Sequence, residues 1–324
     1  MAASNSSIGL KTRLLILSDT HSALPRHSDS AFDSAVPFQT PLPAADVLIH
    51  CGDLTSNGRL DQHHKALELI NSVDSELKIV IPGNHDLTLD RSYYDRYPNA
   101  HCHWQKYSDD VLREIKELYT GAKARQSGIR YLEEGMASFK LKSGASLNVY
   151  ASAWQPEFCN WAFGYSREED RFNPLPDGCG PESPVPDSDI AGGRGGVDIM
   201  VTHGPPKGFL DRTVGGDYVG CDHLRRAVRR CRPLIHCFGH IHEGWGAMSK
   251  DWDLDDAEGG ASSTTTANST PSTFEPPIKQ RSVYVDATGL EPGKETLFIN
   301  ASIMTVRYRP LNAPWLVDIE LPMG

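Results

Sequence analysis

The chain has 324 residues, 39% of them hydrophobic and 23% charged, enough for a sizeable globular core. Its 32 basic and 42 acidic residues leave a formal charge of -10, which argues against a binder of duplex nucleic acid; a small anionic substrate is not excluded, because a few local cations outweigh a distant net charge. MAASNSSIGLKTR has no apolar core, no 18-residue apolar run follows, and seven irregularly spaced Cys form no CxxC, so the expectation is no secretory signal, no membrane partner and a reducing, cytoplasmic setting.

Residues 1–11 read as a disordered polar tail and 12–324 as a single domain. Short, nearly continuous aliphatic runs then recur: RLLIL at 13–17, DVLIH at 46–50, KIVI at 78–81, LNVYA at 147–151, VDIMV at 197–201 and LIHCF at 234–238. Strands covered on both faces read this way. RLDQHHKALELINSV places Leu60, Leu67, Ile70 and Val73 roughly on one helical face. SDDVLREIKELYTG predicts a helix capped by Ser108, with acids in its first turn and Gly121 at its end. DHLRRAVRRCRP predicts a helix capped by Asp222 and stopped by Pro233. Strands alternating with helices predict a layered α/β fold. The Pro-, Gly- and Asp-rich segment 170–196 reads as a long surface loop, and the Ser/Thr-rich segment 251–277 as a disordered insertion. Strand-like text returns in SVYVDAT, TLFINAS, MTVRYR and LVDIEL, which predicts a second, more antiparallel sheet near the C-terminus.

The residues that follow the apolar runs carry the chemistry. SDTH brings Asp19 and His21, CGDLT brings Asp53, and PGNHD brings Asn84, His85 and Asp86. THGPP brings His203, and GHIHEG brings His240 and His242. In open α/β sheets, sites form beyond the carboxyl ends of the strands, so these tips can converge. Carboxylates, imidazoles and one amide oxygen, without thiolate, suit borderline divalent ions such as Mn, Fe, Co or Zn. The set is too large for one ion. Two ions about 3.5–4 Å apart need a bridging carboxylate, which a lone Asp after Gly can supply. Gly52, Gly83 and Gly239 precede Asp53, Asn84 and His240, where the backbone must turn tightly.

In this order, D-x-H, G-D, G-N-H-D, H-G and G-H-x-H resemble the calcineurin-like metallophosphoesterase superfamily. SAWQPEFCNWAFG, VTHGPPKGF, GHIHEGWGAM and FINAS resemble its metallophosphoesterase-domain-containing branch, a group of class III phosphodiesterase-like proteins. The resemblance runs from about residue 13 and leaves out 251–277 and much of 170–196. It implies a four-layer α/β/β/α sandwich of two mixed sheets flanked by helices. It also implies two divalent ions, with Mn, Fe or Zn expected. Asp19, His21 and His242 would hold the first and Asn84, His203 and His240 the second, with Asp53 between them. His85 would be the proton donor or charge stabiliser, oriented by Asp86. Some members of the branch lack the first His of G-H-x-H; His240 is present here, so a complete second site is expected. The implied activity is hydrolysis of small or nucleotide-like phosphoesters, diesters first, by a hydroxide bridging the two ions. The same hydroxide could attack carbon, so a hydrolase or lyase of a specialised metabolite is one alternative. A metal-bound regulator with feeble turnover is another.

Other side chains have ordinary readings. His50 and His236 lie inside strands, where packing or support of a neighbour is expected rather than ligation. HCHW at 101–104 reads as a loop, because adjacent residues point apart. His63 and His64 are solvated or packed on their helix. Arg225, Arg226, Arg229 and Arg230 form a solvated face. Trp154, Trp161, Phe163, Tyr218 and Trp245 flank the motifs, as packing or as a wall that stacks an aromatic group. Lys207, Arg194 and Arg212 could hold a distal phosphate or carboxylate.

Overall fold

The computed structural model describes residues 9–27, 36–102, 106–174, 180–187, 196–253 and 281–324. The chain opens with β1 (Leu10–Leu17), β2 (Val47–His50), α1 (Leu60–Ser72) and β3 (Leu77–Val80). Short α2 (Arg91–Arg96), then α3 (Asp109–Thr120) and α4 (Ala122–Gln126), lead into β4 (Ile129–Tyr131), β5 (Glu134–Lys140) and β6 (Ser146–Ser152). A small pair, β7 (Gln155–Pro156) and β8 (Gly164–Tyr165), precedes β9 (Ile199–Thr202), α5 (Asp222–Cys231) and β10 (Ile235–Phe238). Last come β11 (Gly246–Asp251), β12 (Val283–Asp286), β13 (Glu295–Asn300) and β14 (Trp315–Leu321).

Two six-stranded sheets result, in the orders β12-β14-β1-β2-β3-β4 and β11-β13-β10-β9-β6-β5. Both are mixed. In the first, β14 runs antiparallel to β1 while β1, β2, β3 and β4 are parallel. In the second, β6, β9, β10 and β13 are parallel and flanked by antiparallel β5 and β11. The expected α/β sandwich of two mixed sheets flanked by helices is therefore present. The separate C-terminal antiparallel sheet is not: β12 and β14 complete the first sheet, and β11 and β13 the second. MTVRYR is no strand either, but a tight hairpin loop between β13 and β14.

The continuous apolar runs follow from burial on both faces. Leu14 and Ile16 of β1 point between the sheets, where they meet Val149, Ile199, Ile235 and Val317. Leu15 and Leu17 point the other way, beneath Ala66, Leu69 and Ile70 of α1 and Ile115 and Tyr119 of α3. On the outer face of the second sheet, Leu224, Ala227, Val228 and Cys231 of α5 pack on Met200, Phe238 and Phe298. Each fully buried aliphatic or aromatic side chain adds about 1.5–3 kcal/mol relative to exposure.

Local details shift some expectations. The strand begins at Leu10, inside the expected tail. Ser108 caps α3 as expected, but the Sγ of Cys221 caps α5 in place of Asp222. His63 is buried between Tyr119 Oη at 2.9 Å and Thr88 Oγ1 at 2.8 Å, whereas His64 is exposed. In the 170–196 loop, Phe172 and Val185 are buried in the core under α5, and Arg230 donates to both their carbonyls. Residues 254–280, most of the expected insertion, lie outside the described residues. Trp252 belongs to the core, packed near Phe298 with its Nε1 donating to Thr296 Oγ1. No helix among the described residues is long and apolar enough to cross a membrane.

Candidate metal centre

The parallel strands β1, β2, β3, β9 and β10 all deliver their carboxyl ends to one edge, where the two sheets are stitched together. Ser18 donates to the Ala301 carbonyl and accepts from the Ile303 amide. Asp19, His21 and Ser22 in turn donate their amides to the carbonyls of Gly52, Asp53 and Leu54. Four of the expected ligands are held in the left-handed backbone region: Asp19 at φ 51°, His21 at 45°, Asp53 at 53° and His240 at 67°. For residues with a Cβ this costs roughly 1–2 kcal/mol each, and such strain gathers at functional sites. Two of the preceding glycines are required for room rather than for turning. A Cβ on Gly83 would lie 2.3 Å from the Asp53 amide nitrogen, and one on Gly239 would lie 1.9 Å from Asp19 Oδ2.

All seven expected ligands converge. His242 Nε2 lies 3.3 Å from Asp19 Oδ1 and 3.4 Å from His21 Nε2. His203 Nε2 and His240 Nδ1 each lie 2.8 Å from Asn84 Oδ1. Asp53 turns one oxygen to each set, Oδ2 at 3.6 Å from His21 Nε2 and Oδ1 at 3.4 Å from His203 Nε2.

The donor chemistry fits cations. His21, His203 and His242 each place Nδ1 against a backbone carbonyl, that of Thr55 at 3.1 Å, Cys51 at 2.9 Å and Thr305 at 3.2 Å. A carbonyl only accepts, so Nδ1 carries the proton and Nε2 is left bare, the arrangement that metal-binding imidazoles adopt. Bare nitrogens therefore face each other and two buried carboxylates, an arrangement that only positive charge relieves. Burial pushes Asp53 well above the usual carboxylate range, and the charges of Asp19 and Asp86 add to it. Burial pulls His242 down, yet the hydrogen bond and charge of Asp19 raise it above the ordinary imidazole value. That upward pull marks a place where positive charge is wanted. Burial alone would raise Asp19 as well, but His242, His203 and His21 hold it well below its usual range. Burial lowers His21, His203 and His240, the last to about 3, so these rings are neutral at physiological pH, as ligation requires.

His85 lines the cleft beside the cage. Its Nδ1 donates to the Ser56 carbonyl at 2.7 Å, and its ring stacks on Trp161 at 3.9 Å. Burial draws it down to about 4. Asp86 does not orient the His85 ring as expected. Its carboxylate turns away to accept from the amides of Leu54, Thr55 and Gly83 and from Thr55 Oγ1 at 2.7 Å. Four buried donors outcompete a neighbour whose Nδ1 is already committed; Asp86 ties the Asp53 and Asn84 loops together instead.

His50 and His236 sit behind the ligands as mirror-like supports. Their Nε2 atoms lie 2.9 Å from Thr20 Oγ1 and 2.8 Å from Thr202 Oγ1, and burial pulls both to about 3. His101 stacks on Trp161 at 3.5 Å; 103–105 lie outside the described residues. Arg226 pairs with Asp170 and Arg230 with Asp187, and Arg225 and Arg229 are also engaged. Trp154 packs under Arg171, Phe163 is buried, and Trp245 packs on Trp315. Of the aromatic candidates, Trp161 lines the cleft. Tyr218 is exposed, and its backbone bridges to Arg212. Lys207 is paired with Asp222, and Arg194 lies outside the described residues. Neither Lys207 nor Arg212 lines the cleft; the cation that does is Arg167. Sequence reasoning also missed Ser302, whose Oγ lies 2.9 Å from both Asp19 Oδ2 and Asn300 Oδ1. The FINAS text was the available signal.

The family profile described as Calcineurin-like phosphoesterase matches residues 12–244. The chain is 30% identical to metallophosphoesterase domain-containing protein 1 of Homo sapiens and of Mus musculus, over 96% of this chain and 72% of each relative. It is 32% identical to a probable rhamnogalacturonate lyase C of Emericella nidulans over 75% of this chain, but only 18% of that protein takes part.

Proposed function

The chain belongs to the calcineurin-like phosphoesterase family, and from that premise we propose that it is a phosphodiesterase acting on small phosphoesters with two divalent cations, manganese, iron or zinc. Asp19, His21 and His242 would hold one cation and Asn84, His203 and His240 the other, with Asp53 able to offer an oxygen to each. Asp53 carries this reading: its two oxygens face different imidazole nitrogens, Oδ2 that of His21 and Oδ1 that of His203. Bound there, the cations supply Lewis-acid activation of water and neutralise phosphoryl charge. The protein's own part is positional. Backbone carbonyls lock His21, His203 and His242 with Nε2 forward, while His240 presents Nδ1, and the Asp53 and His85 loops are joined by the His85 amide, which donates to Asp53 Oδ1 at 2.8 Å. At neutral pH burial keeps His85 uncharged with Nε2 bare. An anionic phosphoryl group in the cleft favours uptake of a proton from solvent onto that nitrogen, and the ring can pass it to the departing oxygen, returning to its neutral form.

The cleft of about 320 Å³ suits a small-molecule partner. The lyase name belongs to a protein whose greater part lies outside the aligned segment. The test is hydrolysis of bis(p-nitrophenyl) phosphate with manganese, beside a panel of carboxylic esters and amides. His85→Ala should lower kcat about 10²–10⁴-fold and keep its metal. Asp53→Asn should lose both. Undiminished turnover after complete metal stripping would overturn the proposal, and two bound cations with no turnover on the panel would favour a regulator.

A further inference from the structure

The hairpin that replaces the expected MTVRYR strand reaches back over the metal centre. Thr305 donates its amide to the Arg309 carbonyl, and the Tyr308 amide donates to Thr305, so residues 306–308 form a three-residue loop. Loops of this kind end on a residue with left-handed backbone, ordinarily glycine. Here that residue is Tyr308, at φ 53°. A bulky aromatic at such a position is a genuine outlier, disfavoured by roughly 1–2 kcal/mol. The side chain does not serve the core in return, since Tyr308 is 54% exposed.

What the side chain does is cover the site. Its ring lies edge-on to His21 at 5.0 Å and His242 at 5.2 Å, and tilted to His85 at 6.1 Å. Trp161 stacks on His85, and Phe158, which is exposed, lines the same cleft. The rings of Tyr308, Trp161 and Phe158 thus line the cleft, with Arg167 its one Lys or Arg among the described residues. Those rings suit a phosphoester that carries apolar groups.

We propose that Tyr308 is a specificity-determining residue whose ring, lining one cleft with Trp161 and Phe158, grips an apolar ester group of the substrate. This rests on the phosphodiester reading for its turnover, though not for its binding. The test is calorimetric binding of diphenyl phosphate and dimethyl phosphate to the manganese-loaded full chain, alongside thermal melts. In the wild type and in Tyr308→Phe, diphenyl phosphate should bind at least about ten-fold tighter than dimethyl phosphate. In Tyr308→Gly the preference should fall below about three-fold, while dimethyl phosphate binding and metal content hold and Tm stays level or rises, because glycine suits the turn. A preference unchanged in Tyr308→Gly overturns the proposal. So does a Tm several degrees lower with loss of metal, which makes Tyr308 a strut. If wild type shows the preference but hydrolyses no phosphodiester, the slot stands and the assigned activity falls.

Discussion

Gly83→Ala separates the fold from the metal cage. The added Cβ would lie 2.4 Å from Asp53 Oδ1, 2.3 Å from the Asp53 amide nitrogen and 2.6 Å from His203 Cε1. Ordinary contact begins near 3.4 Å, so Asp53 or the Gly83 backbone must give way by about 1 Å. Gly83 is not in the left-handed region, so alanine meets no conformational penalty and the effect is one of space alone. Overpacking of this kind costs about 1–3 kcal/mol against a total stability of about 5–15 kcal/mol, so the protein stays folded. Metal–ligand distances tolerate only about 0.2 Å, and a 1 Å error in a positioned group costs on the order of 10²-fold. Manganese affinity should therefore fall about 100-fold or more, read by titration with elemental analysis, while Tm drops only modestly. Gly289→Ala, with nothing within 4 Å of its new Cβ, is the control and should match wild type. Two cations bound to Gly83→Ala at wild-type affinity would refute the claim that Asp53 belongs to the cage.

Ser302→Ala removes a donor 2.9 Å from Asp19 Oδ2. It should weaken manganese binding about 10–100-fold, measured by the same titration, and destabilise the fold by about 1–3 kcal/mol. Far from the site, Asp318 is buried and accepts from Arg13 at 2.7 and 2.8 Å, Lys11 at 2.8 Å and Tyr284 at 2.9 Å. The Arg13 hydrogen bond, with those of Lys11 and Tyr284, holds its carboxyl well below the unfolded value of 3.8. A depressed carboxylate stabilises the fold above that unfolded value and loses the contribution as pH falls through the folded one. Arg13 and Lys11 are largely exposed, so Asp318→Asn should cost only about 1 kcal/mol at pH 7. The Tm gap between wild type and Asp318→Asn should narrow as pH falls from 5 toward 2. A gap independent of pH would contradict this.

The sandwich and the ligand set were legible because both leave local marks. Doubly covered strands read as unbroken aliphatic runs, and each run ends in residue types with a distinct chemistry. What stayed hidden depends on distant partners. Nothing within SVYVDAT or TLFINAS says that one strand pairs with β14 and the other with β10. Asp86 stands next to His85 in sequence, yet its geometry answers to the amides of Leu54 and Thr55 in another turn and of Gly83 at the start of its own. Ser302 is an unremarkable residue type until the fold sets it against Asp19. Tyr308 was obscured by the opposite effect: alternating MTVRYR looks like a strand, and the turn carries none of the Gly, Asn or Asp that would announce it.

The central claim is that two cations sit side by side with Asp53 between them. Electron paramagnetic resonance of the chain loaded to saturation with manganese tests it most directly, because ions about 4 Å apart couple magnetically. The account predicts two manganese per chain with an exchange-coupled signal that Asp53→Asn abolishes. A six-line spectrum of isolated manganese from the saturated wild-type protein would contradict it.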